Sequence, residues 1–309
     1  MSTTPPIHAA LVLGSDSFRL LVGTVEDGAL RPLDSYHAPL RLAAALDAQG
    51  CLSPEAMHAA FDCLRGIRAR LNDHALAAVR VVATSTLRMA RNSHLFLPAA
   101  QQLLGHPVQV LSGEEEAVLT YLGVADGTAA EHEARVLVLG IGGGSTQLAL
   151  GSGRRVQKVA SLGLGTSRLA LTFFGGGRID AVSFAAAIAS TRAKLGDEAP
   201  AFGPGRRDRA CGASGTIHTL ARLLVDNDLG GPITRGRLEA LAARALEQGG
   251  GGAVLAGLGP LRLRDVTAAL AILLGLMEEL EIDELEVPKT GLRAGVLAEL
   301  RHGRAALAA

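Results

Sequence analysis

Four short stretches of this chain put small and hydroxyl-bearing residues at strand ends or helix starts. They are "GSDS" (14–17), "ATSTLRMARN" (83–92), "GGGST" (142–146) and "GASGT" (212–216). Glycine has no Cβ, so a turn built on it lets backbone N–H groups approach an anion closely. Consecutive N–H groups in such a turn make a concave anion site. Ser145 and Thr146 add hydroxyl donors to Gly142, Gly143 and Gly144, and Ser15, Asp16 and Ser17 form a second tip of similar character. Ser214, Gly215 and Thr216 open a helix, where unpaired N–H groups and the helix dipole favour anions. Arg88 follows a strand that ends in hydroxyls, and its planar guanidinium suits a phosphate in a bidentate manner. Taken alone, "GGGST" reads equally well as a tight hairpin without a ligand. Four such corners in one chain read as a cradle for several phosphates. The chemistry is neither that of a Walker loop, which needs GxxxxGK[ST], nor that of GxGxxG, because Ser145 stands where the third glycine belongs.

These corners need elements to hold them. Residues 8–14 and 18–24 read as buried strands around the first tip, with a third strand after "EDG". Ser53 and Pro54 start a helix in which Met57, Phe61, Leu64, Ile67 and Leu71 recur at helical spacing. A strand (79–84), a helix over "SHLFLPAAQQLLG" and a strand "VQVLS" follow. "GEEEAVLTYLGVA" then begins a helix, with Ser112 and Glu115 as a capping box and Glu114 in its acidic first turn. After a polar, Ala-rich stretch near 126–133 the pattern restarts with strand, Gly-rich turn, strand, turn and strand. Helices are expected near 180–195, 214–225, 236–248 and 266–281, with a late strand "LEVPK". This internal repeat predicts an α/β chain of two lobes, 1–125 and 126–309, with both tips at the floor of a central cleft.

Composition narrows the function. Thirty basic residues balance thirty acidic ones and Trp is absent, so neither nucleic acid nor a membrane surface is expected as the main partner. Cys51, Cys63 and Cys211 show no CxxC spacing and read as free thiols. The N-terminal stretch lacks the pattern of a signal peptide, and no apolar run reaches the length of a membrane span. A cytoplasmic protein is the expectation.

In order and spacing, "LGSDSFRLLV", "ATSTLRMARN", "LSGEEEAVLTYLGVA", "LVLGIGGGSTQLALG", "SLGLGTSRL", "GASGTIHTLARL" and "GLRAGVLAEL" resemble the exopolyphosphatase / guanosine pentaphosphate phosphatase family from end to end. The resemblance implies two ribonuclease-H-like lobes of the actin-like ATPase superfamily, in the short two-domain form. It implies hydrolysis of terminal phosphate from inorganic polyphosphate or guanosine pentaphosphate, with Mg²⁺, and a homodimer. It places the general base at Glu116, the last acid of the "GEEEA" block, with Arg88 beside the reacting phosphate.

The chain departs from that pattern at its acids. The family has D-[IL]-G-G-G-S-T-E at the second tip, where this chain has Gly140 and Gln147. At the first tip, D-L-G-S-N-S becomes Val12 for the Asp and Asp16 for the Asn. Val and Gly offer no side-chain oxygen to Mg²⁺, a hard cation that takes oxygen ligands. Asp16 is the replacement ligand on offer, and Mg²⁺ carried in by the polyphosphate is another route. Two functions therefore stay open: a hydrolase, and a polyphosphate- or alarmone-binding sensor with weakened catalysis. In "KTGLRAG" the acid that often follows the Arg in this family is also missing, and Arg293 reads as structural. Arg168 and His218 flank the turns, with surface or packing roles as their alternative readings.

Overall fold

The computed structural model describes residues 5–26, 29–126, 134–252, 254–258 and 262–302. The chain forms two compact units, Met1–Ala130 with Thr290–Leu307, and Glu131–Lys289 with Ala308–Ala309. Most of the Ala-rich stretch near 126–133 lies outside the described residues.

In the first unit β1 (Ile7–Leu13), β2 (Ser17–Glu26) and β3 (Ala29–Pro39) form an antiparallel meander. β1 also pairs in parallel with β4 (Leu76–Ala83), and β4 with β5 (Val108–Val110), giving the order β3-β2-β1-β4-β5. Residues alternate between the faces of the sheet. Leu11, Leu13, Phe18, Leu20, Val81 and Ala83 join one core with α1 (Pro54–Asn72) and α3 (Ser93–Leu104). The Ser53 side chain accepts from the Ala56 N–H, Pro54 fills the first turn, and Ala60, Leu64, Ile67 and Leu71 form the buried stripe of α1. A short α2 (Ser85–Met89) follows β4, and α4 (Gly113–Ala125) follows β5.

The second unit repeats the pattern. β6 (Arg135–Ile141), β7 (Thr146–Ser152) and β8 (Arg155–Leu162) are antiparallel, and β9 (Arg209–Gly212) joins β6 in parallel, in the order β8-β7-β6-β9. Helices α5 (Thr166–Phe174), α6 (Ala181–Leu195), α7 (Gly215–Asp226), α8 (Arg235–Gly249) and α9 (Leu263–Glu279) belong to this unit, with a two-strand ribbon of β10 (Ile233–Thr234) and β11 (Glu284–Leu285). Every residue of α9 from Val266 to Met277 is buried, so this helix is the centre of the unit's core.

Two features differ from the sequence reading. α5 (Thr166–Phe174) was not among the expected helices. Its start is pinned by tertiary bonds: the Thr166 and Ser167 N–H groups donate to the Gly142 and Gly143 carbonyls at 3.0 Å each. The second difference is the division into units, since Thr290–Leu307 rejoin the first one. Within that segment α10 (Leu292–His302) packs against α4 and β1. The approach is backbone to backbone. A Cβ on Gly295 would overlap the Leu119 carbonyl oxygen, and one on Gly123 would overlap the Gly291 oxygen. Val296 and Leu297 then complete an apolar cluster with Ala10, Val12, Leu21, Val82 and Leu119.

Candidate active site

In the first unit the β1–β2 tip is a tight reversal in which the Gly14 N–H donates to the Ser17 carbonyl at 3.1 Å. A Cβ at Gly14 would come within 2.8 Å of that oxygen, so the turn requires glycine. Ser15 is buried and its Oγ lies 2.9 Å from Ser85 Oγ. The Thr86 N–H donates to the same Ser15 oxygen at 3.3 Å. The tip is thereby tied to the end of β4, whose next N–H, that of Thr84, donates to the Leu13 carbonyl. The Thr86 hydroxyl is buried without a hydrogen-bond partner. Asp16 is exposed, and its carbonyl accepts from the Leu40 and Arg41 N–H groups.

The same β4–α2 corner carries Arg88, whose Nη1 donates to the Leu111 carbonyl at 2.6 Å. That bond brings the guanidinium to the start of α4. There the capping box forms as the sequence reading expects: the Glu115 N–H donates to Ser112 Oγ at 3.1 Å, and the Ser112 N–H donates to Glu115 Oε2 at 2.8 Å. Glu115 is thus used in capping and Glu114 is exposed. Glu116 turns elsewhere. Its side chain is only 12% exposed, and Oε2 lies 3.7 Å from Arg88 Nη1, an ion pair beyond hydrogen-bond length. Oε2 has no hydrogen-bond partner. Burial pushes the Glu116 carboxyl up from 4.5 to about 7, against the opposing pull of the Arg88 charge. A buried carboxyl pushed to about 7, with an unpartnered oxygen, has the properties of a general base.

In the second unit the β6–β7 tip repeats the reversal: the Gly142 N–H donates to the Ser145 carbonyl at 2.8 Å. The carbonyls of Gly142 and Gly143 are occupied by α5. Among the described residues, the N–H groups of Gly143, Gly144 and Ser145 have no acceptor, which leaves three successive donors for an anion. A Cβ on Gly165 would overlap the backbone of Gly143 and Gly144, so this glycine permits the close approach. Thr146 is fully buried and its hydroxyl donates to the Leu164 carbonyl at 2.7 Å. Ser214 caps α7 through the Ile217 N–H and also accepts from the Ile141 N–H at 3.1 Å. The helix start bearing Gly215 and Thr216 is therefore fixed to the edge of the tip. Arg168 is exposed, and the His218 N–H donates to the Ser214 carbonyl as an ordinary first helical bond.

Of the sequence-derived set, Ser15, Asp16, Ser17, Arg88 and Glu116 belong to the first unit, and Gly142, Gly143, Gly144, Ser145, Thr146, Ser214, Gly215 and Thr216 to the second. Sequence reasoning missed Ser85 and Thr86 as tethers of the first tip, and Gly165 as the residue against which the second tip packs. "ATST" and "GLG" were their only signals.

The donor set does not fit a protein-held Mg²⁺. Val12 is 6% exposed within an apolar cluster, and Arg19 stands directly across the ladder from it. Gly140 pairs with Gln147, whose Nε2 donates to Ser145 Oγ at 2.6 Å. Asp16 remains as a single exposed carboxylate, and among the described residues no three His, Cys, Asp or Glu side chains cluster as a metal site.

The family is settled by a match over nearly the whole chain, residues 21–303, to the Ppx/GppA phosphatase family. The chain belongs to that family. It is 36% identical over 300 residues to the guanosine-5'-triphosphate,3'-diphosphate pyrophosphatase of Vibrio vulnificus, covering 96% of this chain and 59% of that protein. The chain therefore spans well under two thirds of that relative's length. Among solved Ppx/GppA structures, the Aquifex aeolicus PPX-GPPA enzyme superposes with a TM-score of 0.78 at 26% identity, over 96% of this chain and 100% of the other. An exopolyphosphatase from Cytophaga hutchinsonii shares the fold, with a TM-score of 0.84 at 21% identity over 98% and 100% of the two chains. The mixed α/β units are those of the actin-like ATPase fold of Ppx/GppA proteins.

Proposed function

We propose that this chain hydrolyses phosphoanhydrides, releasing terminal phosphate from inorganic polyphosphate and, as an alternative substrate, guanosine pentaphosphate. One observation carries the reading: Glu116 is a buried carboxyl held near pH 7 with its Oε2 unpartnered, and Arg88 stands 3.7 Å away. The names of the Vibrio vulnificus and Cytophaga hutchinsonii relatives supply the substrate classes.

In this reading Glu116 accepts a proton from water as the water oxygen bonds to the terminal phosphorus. The bridging P–O bond breaks, and the shortened chain leaves with that oxygen. Arg88 balances charge beside the base and the reacting phosphate. Ser15, Asp16 and Ser17 contact phosphate oxygens on the first unit. On the second, the N–H groups of Gly143, Gly144 and Ser145 would do so, with Gly215 and Thr216 at the start of α7, while Gly142, Thr146 and Ser214 hold the turn in shape through their own hydrogen bonds. A cytoplasmic homodimer belongs to the same reading. Mg²⁺ is the metal that the resemblance implies, and Val12, Gly140 and Gln147 offer it no carboxylate on this chain.

A second reading, a polyphosphate or alarmone sensor that cleaves slowly or not at all, is favoured by Val12, Gly140 and Gln147 at the acidic positions. Phosphate release from long-chain polyphosphate separates the two. Hydrolysis predicts release by the wild type and a loss of about 10³-fold in Glu116→Gln. Tight binding with no release from either protein establishes the sensor.

A further inference from the structure

The capping box of α4 is the last link in a longer chain of side chains within the first unit. The chain begins on α10, where Glu299 forms an ion pair with Arg80 of β4; their side chains are only 8% and 15% exposed. Arg80 Nη2 donates to Gln109 Oε1 on β5 at 3.0 Å. Gln109 Nε2 donates in turn to Glu115 Oε1 at 3.4 Å. The other oxygen of that carboxylate, Oε2, accepts from the Ser112 N–H at 2.8 Å. Chemistry dictates the direction of each bond. A guanidinium only donates and a carboxylate only accepts, so the amide between them must turn its oxygen to Arg80 and its nitrogen to Glu115. Arg80 cannot swing away without leaving Glu299 buried and unpaired, which is costly.

The chain of bonds ends on one peptide group. The Ser112 N–H held by Glu115 and the Leu111 carbonyl, which accepts from Arg88 Nη1 at 2.6 Å, belong to the same planar unit. Such a unit turns as a rigid body. The next carbonyl, that of Ser112, accepts from the Glu116 N–H at 3.1 Å. A tilt of the Leu111–Ser112 plane therefore displaces Arg88 and Glu116 relative to each other, and the 3.7 Å between Arg88 Nη1 and Glu116 Oε2 depends on it.

We propose that Arg80 and Gln109 are positioning residues: with Glu299 and Glu115 they fix the Leu111–Ser112 peptide plane, and through it the placement of Arg88 against Glu116. This rests on the proposed function for the role of Glu116. α10 thereby holds the site in shape as well as completing the apolar cluster beside it.

The test uses the full chain and Gln109→Leu, which cuts the chain of bonds at its middle and leaves the Arg80–Glu299 pair in place. For phosphate release from long-chain polyphosphate, kcat should fall about tenfold with KM unchanged, because a small displacement of the base acts on the transition state. Gln109→Glu keeps the bond to Arg80 and loses the one to Glu115, so it should lose as much. In a Glu116→Gln background, Gln109→Leu should cause no further loss, since the two changes act through one group. An undiminished kcat in either Gln109 variant, a loss confined to KM, or the tenfold loss repeated on top of Glu116→Gln overturns the inference and leaves the proposed function standing. Amide hydrogen exchange followed by nuclear magnetic resonance needs no turnover. The Ser112 and Glu116 amides should exchange about tenfold faster in Gln109→Leu than in wild type, and unchanged exchange overturns the inference by itself. Absence of phosphate release from every protein overturns the proposed function instead, and the exchange rates then decide whether the bonds hold the peptide plane.

Discussion

The β1–β2 tip and the β6–β7 tip are the same backbone device. Each is a glycine whose N–H closes onto a serine carbonyl three residues later, and each is followed by a strand that pairs antiparallel with the one before. Their surroundings differ. The first tip is tied to a corner bearing Arg88, and that arginine reaches Glu116, a buried carboxyl pushed up to about 7. The second is closed by neutral groups: the start of α5, the Ser214 hydroxyl and the Gln147 amide. One copy of the repeat carries ionisable chemistry, and the other presents amide hydrogens. Changes in the first should therefore act on rate and pH dependence, and changes in the second on folding and phosphate affinity.

Gly165→Ala is the strongest way to break this comparison. The new Cβ meets backbone of Gly143 and Gly144, which cannot rotate away as a side chain can. A loss of about 3 kcal/mol in unfolding free energy is expected, with weaker phosphate binding. Denaturant titration and calorimetry check this. A neutral result would mean that the second tip is not held by α5.

Glu116→Gln sharpens the other side through stability. The folded-state pKa is raised, so the folded chain holds a proton on Glu116 that the unfolded chain has lost between about 4.5 and 7. The wild type therefore loses stability as pH rises through that window, and the cost is complete above about 7. The Gln variant lacks the term, so it should be more stable than wild type at pH 8 by up to about 3 kcal/mol, and equal to it below pH 4.5. Thermal unfolding at the two pH values reads the difference. Loss of the Arg88 partner reduces the gain without changing its sign.

Ser214→Ala has a smaller effect. It removes the cap of α7 and the acceptor for the Ile141 N–H together, for a destabilisation of about 1–2 kcal/mol. Phosphate affinity should fall while the pH dependence of hydrolysis stays fixed; a shift in that dependence would erase the contrast between the tips.

Local signals carried much of this structure. Ser53 with Pro54, and Ser112 with Glu115, announce the starts of α1 and α4, because a cap is a contact between residues three apart. The repeat of strand, glycine tip and strand was legible because both hairpins keep their polar tip between apolar runs. What stayed hidden depends on distant residues. α5 forms through bonds to carbonyls more than twenty residues earlier in the chain. α10 rejoins the first unit through glycines at 123 and 295. In the site, "GEEEA" presents three adjacent acids, and helix-start chemistry accounts for any of them. Burial against Arg88 singles out Glu116, and burial is a tertiary property.

The central claim is that Glu116 is a base tuned to neutrality by burial. The direct measurement is the ionisation of its carboxyl, followed by infrared difference spectroscopy of wild type minus Glu116→Gln across pH 4–9, beside the pH dependence of phosphate release. The expected result is a carboxyl titrating near 7 that coincides with the rise in rate and is missing from the variant. A Glu116 carboxyl that titrates at the ordinary value of 4.5, or an undiminished rate in Glu116→Gln, would contradict it.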